Sequence, residues 1–429
     1  MRLFIFLFLI ISFVILFYSV YRSEIVSDGL NRDYYLINYY ISIFLIVFFI
    51  TLFNVKEKFQ KYCVIIFISI LSSLYCFEGY LFLKENYFYK TDVFKVYKDL
   101  KKKDPKIVKT VSPRHYRQKG GGANDIFTLS GVSNVSTIMC NENGYYSIYK
   151  SDRYGFNNPD NQWDGRGKRN EVEYLLLGDS FTHGNCVNRP NDIASLLRIF
   201  SNKKVLNLGY EGNGPLIEYA TLREYLNKGV KKVLWLYFEG NDLSDLNKEL
   251  KDSLLNKYLN NINFSQNLKS KQNQVNKLAR NFFEEAVKSQ GTGIETTILN
   301  KPIIKFIKLN NVRGLFYRSQ IADQTELLEL QIILKLANEL VKNNNSQLFF
   351  IYLPTRERYK ITNPDSVFKK NMVKNIINNL NVPFIDIDNE VFKKEENYLS
   401  LFSGSNGHYN ELGYKKVSLK IYEIIRQYK

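Results

Sequence analysis

The chain has 429 residues, 45% of them hydrophobic, with a formal net charge of +17 and four cysteines. That length buries a full core and leaves room for additional segments. The charge invites a nucleic-acid partner, but the basic residues are spread along the chain instead of clustering with aromatics on one module, which excludes that reading; attraction to an acidic polysaccharide or to anionic lipid headgroups is the partner chemistry it still allows.

In chain order, the first segment, residues 1–83, predicts three membrane-spanning helices. "LFIFLFLIISFVILFYSV" carries no charge, and neither does "YYLINYYISIFLIVFFITLFNV". At about 1.5 Å per residue either run crosses a bilayer. The third, Tyr62 to Leu83, is interrupted only by Glu78. A carboxylate is costly in lipid unless it sits near an end or faces a partner, so the alternative for this run is a buried or interfacial helix. The first run lacks a small-residue cleavage site and is too long for a signal peptide, so it reads as an anchor.

The loop after the second span carries Lys56, Lys58 and Lys61 against Glu57, whereas the loop after the first mixes Arg22 and Arg32 with Glu24, Asp28 and Asp33. Positive-inside reasoning puts the lysine loop and the N-terminus in the cytoplasm and everything after Leu83 outside it. The lysines of "KKKD" after the third span pull the other way, but long domains translocate with little regard to charge. Cys63 and Cys76 lie in the third span, which leaves Cys140 and Cys186 as the pair that an oxidising exterior would bridge. With three histidines in the chain and no Cys-x-x-Cys or His-x-x-x-His spacing, no metal site is suggested.

Residues 84–170 are irregular and aromatic, with the break "QKGGGAND" and the turn-rich "GYYSIYKSDRYGFNNPD". They read as a linker and lead-in cap. Over residues 171–429 short apolar runs such as "EYLLLGDS", "KKVLWLYFEGND" and "SQLFFIYLPT" alternate with helical stretches. Apolar strands separated by helices predict a doubly wound α/β domain whose parallel sheet is covered on both faces. A polar, amphipathic insertion at about 245–325 reads as helical, a lid or packing subdomain with no chemistry of its own.

In such sheets ligands sit beyond the carboxyl ends of the strands. Ser180 falls where the first strand of the domain ends, and Gly212 and Asn241 follow two other strand ends. A serine alone is as readily a helix cap. With the backbone N–H groups of Ser180 and Gly212 and the amide of Asn241 as oxyanion donors, and His408 as base, it becomes a candidate nucleophile.

"GDSFTHG", the glycine of "NLGYEG", "GND" and "GHYNELGY" resemble, in order, the four blocks of the SGNH (GDSL) hydrolase superfamily, and "SDRYGFNNPD" is similar to the lead-in of membrane-anchored bacterial members. The resemblance covers roughly residues 171–429. It implies a flavodoxin-like sheet, Ser180 as nucleophile, His408 as general base, Gly212 and Asn241 in the oxyanion hole, and no organic cofactor or metal. It implies an esterase, a lipase, or an enzyme that removes or transfers acyl groups on carbohydrates.

The sequence departs from the pattern at the acid, since the superfamily usually carries an aspartate two or three residues before the histidine and here Asn406 and Ser405 stand there. Asn406 cannot stand in for a carboxylate. Asp386 and Asp388, after the last strand, are the candidates to support His408, with turn or capping roles as the alternative; a backbone carbonyl or an inert site are the other outcomes. Asp179 and Asp242 read as structural, and His183 as an exposed loop residue. The expected function is a membrane-tethered extracytoplasmic acyl hydrolase or acyltransferase on an O-acylated envelope glycan or another ester, held in the inner membrane and, if a transferase, served by a membrane acyl-donor partner. The alternative is a catalytically inactive domain that binds glycan or scaffolds an envelope assembly.

Overall fold

The computed structural model describes residues 2–25, 32–88, 93–115, 125–164, 171–292, 306–309, 312, 324–359, 364–404 and 407–428. The chain forms two compact units, one of residues 1–90 with 295–320, the other of residues 91–294 with 321–429.

In the first unit three helices, α1 (Arg2–Val20), α2 (Arg32–Leu52) and α3 (Glu57–Phe88), contain stretches long and apolar enough to cross a membrane. Large apolar side chains, Phe17, Phe44 and Ile66 among them, stand exposed along them, a surface suited to lipid. Inside, Ile5, Phe49, Leu52 and Val64 make a small core. The turn between α2 and α3 is closed by Gln60, whose Nε2 donates to the carbonyls of Leu52 and Val55 at 3.1 and 3.0 Å, satisfying groups that the end of α2 leaves without helical partners. Glu78, fully buried, accepts the backbone N–H of Val312 at 2.8 Å. A protein partner thus meets the carboxylate that interrupts the third apolar run.

The second unit is built on five parallel strands, β4 (Val172–Gly178), β5 (Val205–Asn207), β6 (Val230–Phe238), β7 (Gln347–Leu353) and β8 (Phe384–Asp386), in the order β5-β4-β6-β7-β8. Counted within the sheet this is the flavodoxin-like order 2-1-3-4-5, with the switch point between β4 and β6. From Tyr174 on, the side chains of β4 alternate between two cores: Leu175 and Leu177 on one face, Tyr174 and Leu176 on the other. Helices Ile193–Ser201 and Glu411–Ile425 cover the second face, and Pro215–Tyr225, Gln324–Asn343 and Pro364–Asn379 the first. Both faces are therefore dry, which is why the strands read as near-continuous apolar runs.

The lead-in belongs to the same unit. Its strands β1 (Val108–Lys109), β2 (Ser136–Ile138) and β3 (Ile148–Lys150) form a small mixed sheet. Its segment "SDRYGFNNPD" is organised by buried Asp152, which accepts from the backbone of Tyr154 and Phe156 and from Asn158 and Trp163 at 2.7–3.0 Å. Burial pushes that carboxyl up to about 6 despite these bonds. Asn158 then exchanges two bonds with the backbone of Asn207, pinning the lead-in to β5.

The insertion divides between the units. Helices Asp242–Glu249, Ser253–Asn260 and Gln272–Thr292 stay with the sheet, since Leu254, Leu255 and Tyr258 join its core and Phe283 packs with Tyr97 and Ile107. Phe306–Leu309 and Val312 pack with the apolar helices instead.

Candidate active site

Strand β4 ends on Gly178, where a Cβ would lie 2.1 Å from Thr182 Oγ1 and 2.7 Å from the Leu236 carbonyl. Only glycine permits the chain to turn so tightly against β6. Asp179 then caps the short helix Ser180–His183 by accepting the N–H of Phe181 at 2.9 Å, and burial pushes its carboxyl up to about 6. The turn leaves Ser180 as the first helical residue at the carboxyl edge of the sheet. Because β5 and β6 flank β4, the loops carrying Gly212 and Asn241 reach the same edge.

His408 stands on the loop before helix Glu411–Ile425, held by a bridge between Phe402 and Tyr409 and by the Ser403 N–H donating to its carbonyl at 2.7 Å. Its Nε2 lies 2.9 Å from Ser180 Oγ, and its Nδ1 lies 2.7 Å from Glu142 Oε1. Ser403 Oγ donates to the other carboxylate oxygen at 2.5 Å. Nδ1–H donating to Glu142 leaves Nε2 as an acceptor, so the Ser180 hydroxyl gives its one proton there. Burial alone would lower the His408 pKa and raise that of Glu142. Their shared hydrogen bond and charge outweigh it, so the imidazole is held above 6.5 and the carboxyl below 4.5.

Glu142 is the carboxylate that sequence reasoning missed. It sits between β2 and β3 with 3% of its side chain exposed, and three ties hold the loop to the rest of the site. Cys140 is disulfide-bonded to Cys186 with Cα atoms 4.9 Å apart; Asn143 Nδ2 donates to the Cys186 carbonyl at 3.0 Å; Tyr145 OH donates to Glu411 at 2.8 Å. The signal was the cysteine pair, for Glu142 follows Cys140 by two residues and Cys186 follows Ser180 by six. Ligand-type atoms of Glu142, Cys186 and His408 lie within 4.8 Å of one another. The Cys186 sulfur is already bonded to Cys140, so the cluster is a disulfide abutting an acid–imidazole pair and lacks a thiolate to bind a metal.

Asp386 and Asp388 are engaged elsewhere. Asp386 caps the turn Ile387–Glu390 and pairs with Lys370 at 2.7 Å. Asp388, fully buried, takes Lys370 and the Tyr359 hydroxyl, each at 2.7 Å. As supports for His408 they are replaced by Glu142, because cations and a phenol of their own neighbourhood occupy their oxygens. Asn406 lies outside the described residues. His183 is not exposed but fully buried: it stacks on Tyr210, with Nε2 3.0 Å from the Tyr149 hydroxyl, and Nδ1 accepts the Glu211 N–H at 3.2 Å. Burial drops its pKa to about 3, so it is a neutral clamp on the loop that carries Gly212.

Gly212 has φ +78°, and a Cβ there would come 2.5 Å from Ser112 Oγ. Asn241 Nδ2 donates one N–H to Asp245 at 3.0 Å, and Asp245 also binds Arg114 and Lys248, each at 2.7 Å. The carboxylate fixes the amide with its nitrogen toward Asp245, leaving the second N–H for another acceptor. Asp242 is buried and accepts the Phe238 N–H at 2.8 Å.

No protein-family model matches the sequence, and no curated protein matches it. Solved structures similar to the chain include a lipolytic protein of the G-D-S-L family from Desulfitobacterium hafniense (14% identity, 59% of this chain and 99% of that one, TM-score 0.35). An acetyl xylan esterase (11% identity, 59% and 100%, TM-score 0.35) and a lipase/acylhydrolase from Enterococcus faecalis (11% identity, 60% and 96%, TM-score 0.34) are also similar to it.

Proposed function

We propose that the chain is a membrane-tethered serine acyl hydrolase of the SGNH type, with Ser180 as nucleophile, His408 as general base and Glu142 as the acid that supports it. The observation that carries this reading is the unbroken relay Ser180 Oγ, His408 Nε2, His408 Nδ1, Glu142, with separations of 2.9 and 2.7 Å. A binding domain has no use for a buried carboxylate held against the far nitrogen of that imidazole.

Ser180 Oγ attacks the carbonyl carbon of an ester as its proton passes to His408 Nε2. Glu142 stabilises the imidazolium and keeps Nδ1 protonated. The carbonyl oxygen becomes an oxyanion facing the N–H groups of Ser180 and Gly212 and the free N–H of Asn241. Collapse expels the alcohol, which takes the proton from Nε2, and leaves an acyl-serine. Water, or a sugar hydroxyl in the transferase variant of the same chemistry, gives its proton to Nε2 and attacks; collapse of that second intermediate returns the proton to Ser180 and frees the acid or the transferred ester.

For substrate we propose an O-acylated glycan of the cell envelope, met outside the cytoplasm. The three apolar helices, the lysine-rich turn between α2 and α3 and the disulfide support that placement. Fluorophosphonate labelling of the full-length chain in native membranes tests the enzyme reading. Labelling that Ser180→Ala and His408→Ala abolish is expected; no labelling of the intact chain would favour the glycan-binding alternative.

A further inference from the structure

The small sheet of the lead-in reaches the candidate site at two points. Strands β1 and β2 pair in parallel, Val108 with Thr137 and Lys109 with Ile138, so the chain leaves both of them at the same end. The exit from β2 carries Glu142 to His408. The exit from β1, residues 111–115, follows the Thr110 N–H donating to the Ile138 carbonyl at 2.8 Å and then turns at Pro113, closed by the His115 N–H on the Ser112 carbonyl at 3.0 Å. That turn sets Ser112 and Arg114 against the two residues that join Ser180 in the proposed oxyanion hole. A Cβ on Gly212 would lie 2.5 Å from Ser112 Oγ and 3.2 Å from Arg114 Nη2. Ser112 Oγ is buried and has no hydrogen-bond partner among the described residues, so its contact with Gly212 is steric. Arg114 makes the polar connection: its Nη1 donates to Asp245 Oδ1 at 2.7 Å, and Asp245 Oδ2 accepts from Asn241 Nδ2 at 3.0 Å.

We infer that Arg114 is a positioning residue for the oxyanion hole: it holds Asp245 in place for the Asn241 amide and offsets a negative charge that would otherwise stand one hydrogen bond behind the oxyanion. The inference rests on the acyl-transfer chemistry proposed for Ser180. Asp245 has 4% of its side chain exposed, so water and salt do little to screen it. An oxyanion on the second N–H of the same amide is repelled by that carboxylate, and the repulsion opposes the transition state. Lys248 Nζ also bonds Asp245 Oδ1 at 2.7 Å, but its side chain is 61% exposed against 25% for Arg114. An exposed ammonium on a flexible stem is the weaker counter-charge. The fork of Arg114 also turns Nη2 toward Gly212, an arm that a lysine lacks. One guanidinium thus serves both donors, Asn241 through Asp245 and Gly212 by proximity.

The test follows fluorophosphonate labelling of the full-length chain in native membranes, read as a maximal rate and a half-saturating probe concentration. Phosphonylation of Ser180, like acylation, builds negative charge on an oxygen in the hole. Arg114→Gln should lower the maximal rate roughly tenfold or more and leave the half-saturating concentration within about twofold, since the loss is felt in the transition state. Adding Asp245→Asn to Arg114→Gln should recover about threefold or more of that rate, because it removes the uncompensated charge and keeps an acceptor for Asn241. If Arg114 served only packing, a second change at a buried neighbour would deepen the loss instead. Arg114→Lys keeps a charge but loses one arm of the fork, so it should label about threefold more slowly than the wild type. That variant decides the case alone if Arg114→Gln does not accumulate, a rate equal to wild type overturning the role. A rate for Arg114→Gln within about twofold of wild type, or a loss that Asp245→Asn leaves unmoved or deepens, would overturn the positioning role while the wild-type label still upheld the nucleophile. No labelling of the wild type would overturn the enzyme reading, and this role with it.

Discussion

At the end of β8, Asp386 and Asp388 each stand 2.7 Å from Lys370, and Asp388 also accepts from Tyr359; near the end of β4, Glu142 stands 2.7 Å from His408 and accepts from Ser403. Asp388 and Glu142 are buried or nearly so, and both are held below the ordinary carboxyl range, burial opposing the shift and the neighbouring donors outweighing it. The difference lies in the partner. Lys370 bonds both aspartates and no group of the candidate site, so the ion pairs near β8 serve the fold. The carboxylate at the other site faces an imidazole whose second nitrogen lies 2.9 Å from Ser180 Oγ, and it raises that ring's affinity for a proton. A carboxylate at a sheet edge takes its role from what it faces, and position along the chain does not decide that.

The largest effect should come from removing the charge that faces the imidazole. Glu142→Gln should lower kcat by about 10³- to 10⁴-fold, the scale on which a lost triad acid acts, while Asp388→Asn leaves kcat within about twofold. The pH profile sharpens the same contrast. His408 must be neutral to accept the Ser180 proton, and Glu142 holds its pKa above 6.5, so kcat/KM should fall with acid along a limb centred above pH 6.5. In Glu142→Gln that limb should move to lower pH; an unmoved limb would mean that Glu142 does not touch the titrating group.

Next in size is the disulfide. Cys140→Ser frees the loop that presents Glu142, closed at a sequence separation of 46. Thermal or denaturant unfolding should show a loss of about 4 kcal/mol on the chain-entropy account, and kcat should drop by about tenfold even where the chain remains folded. Ser403→Ala removes one of the side-chain bonds on Glu142. A loss of about 1 kcal/mol in transition-state stabilisation, roughly fivefold in kcat with KM unchanged, is expected. The smallest effect on turnover and a large one on stability belong to Asp388→Asn, which leaves Lys370 buried beside a single aspartate. Breaking a buried pair costs about 3 kcal/mol or more, readable as a lower urea midpoint.

The Glu142–His408 pair also links folding to pH. The raised imidazole pKa contributes stability that is fully present below 6.5 and is lost as pH rises through its folded value; the lowered carboxyl pKa contributes stability present above 4.5 and lost as pH falls through its own. The pair therefore adds most to stability between those limits, where the imidazole is charged and, on the proposed mechanism, cannot serve as base.

Local sequence alone determined the strands, the apolar helices and the serine turn. An apolar run ending in "GDS" already contains the strand, the glycine that turns it and the capping aspartate, because each is set by neighbours within a few residues. Gly212, Asn241 and His408 were legible for a related reason, since each follows an element whose end the sheet topology sends to one edge. What only the tertiary structure decided is which carboxylate meets His408, where the histidine at 183 points, and that the insertion divides between two units. Those outcomes depend on contacts between segments far apart in the chain: Glu142 and His408 are 266 residues apart, Glu78 and Val312 are 234 apart. Burial there is a property of the assembled layers. Asp386, Asp388 and Glu142 are alike as isolated residues, and only packing shows that Lys370 claims the first two while a bridged loop carries the third to the imidazole.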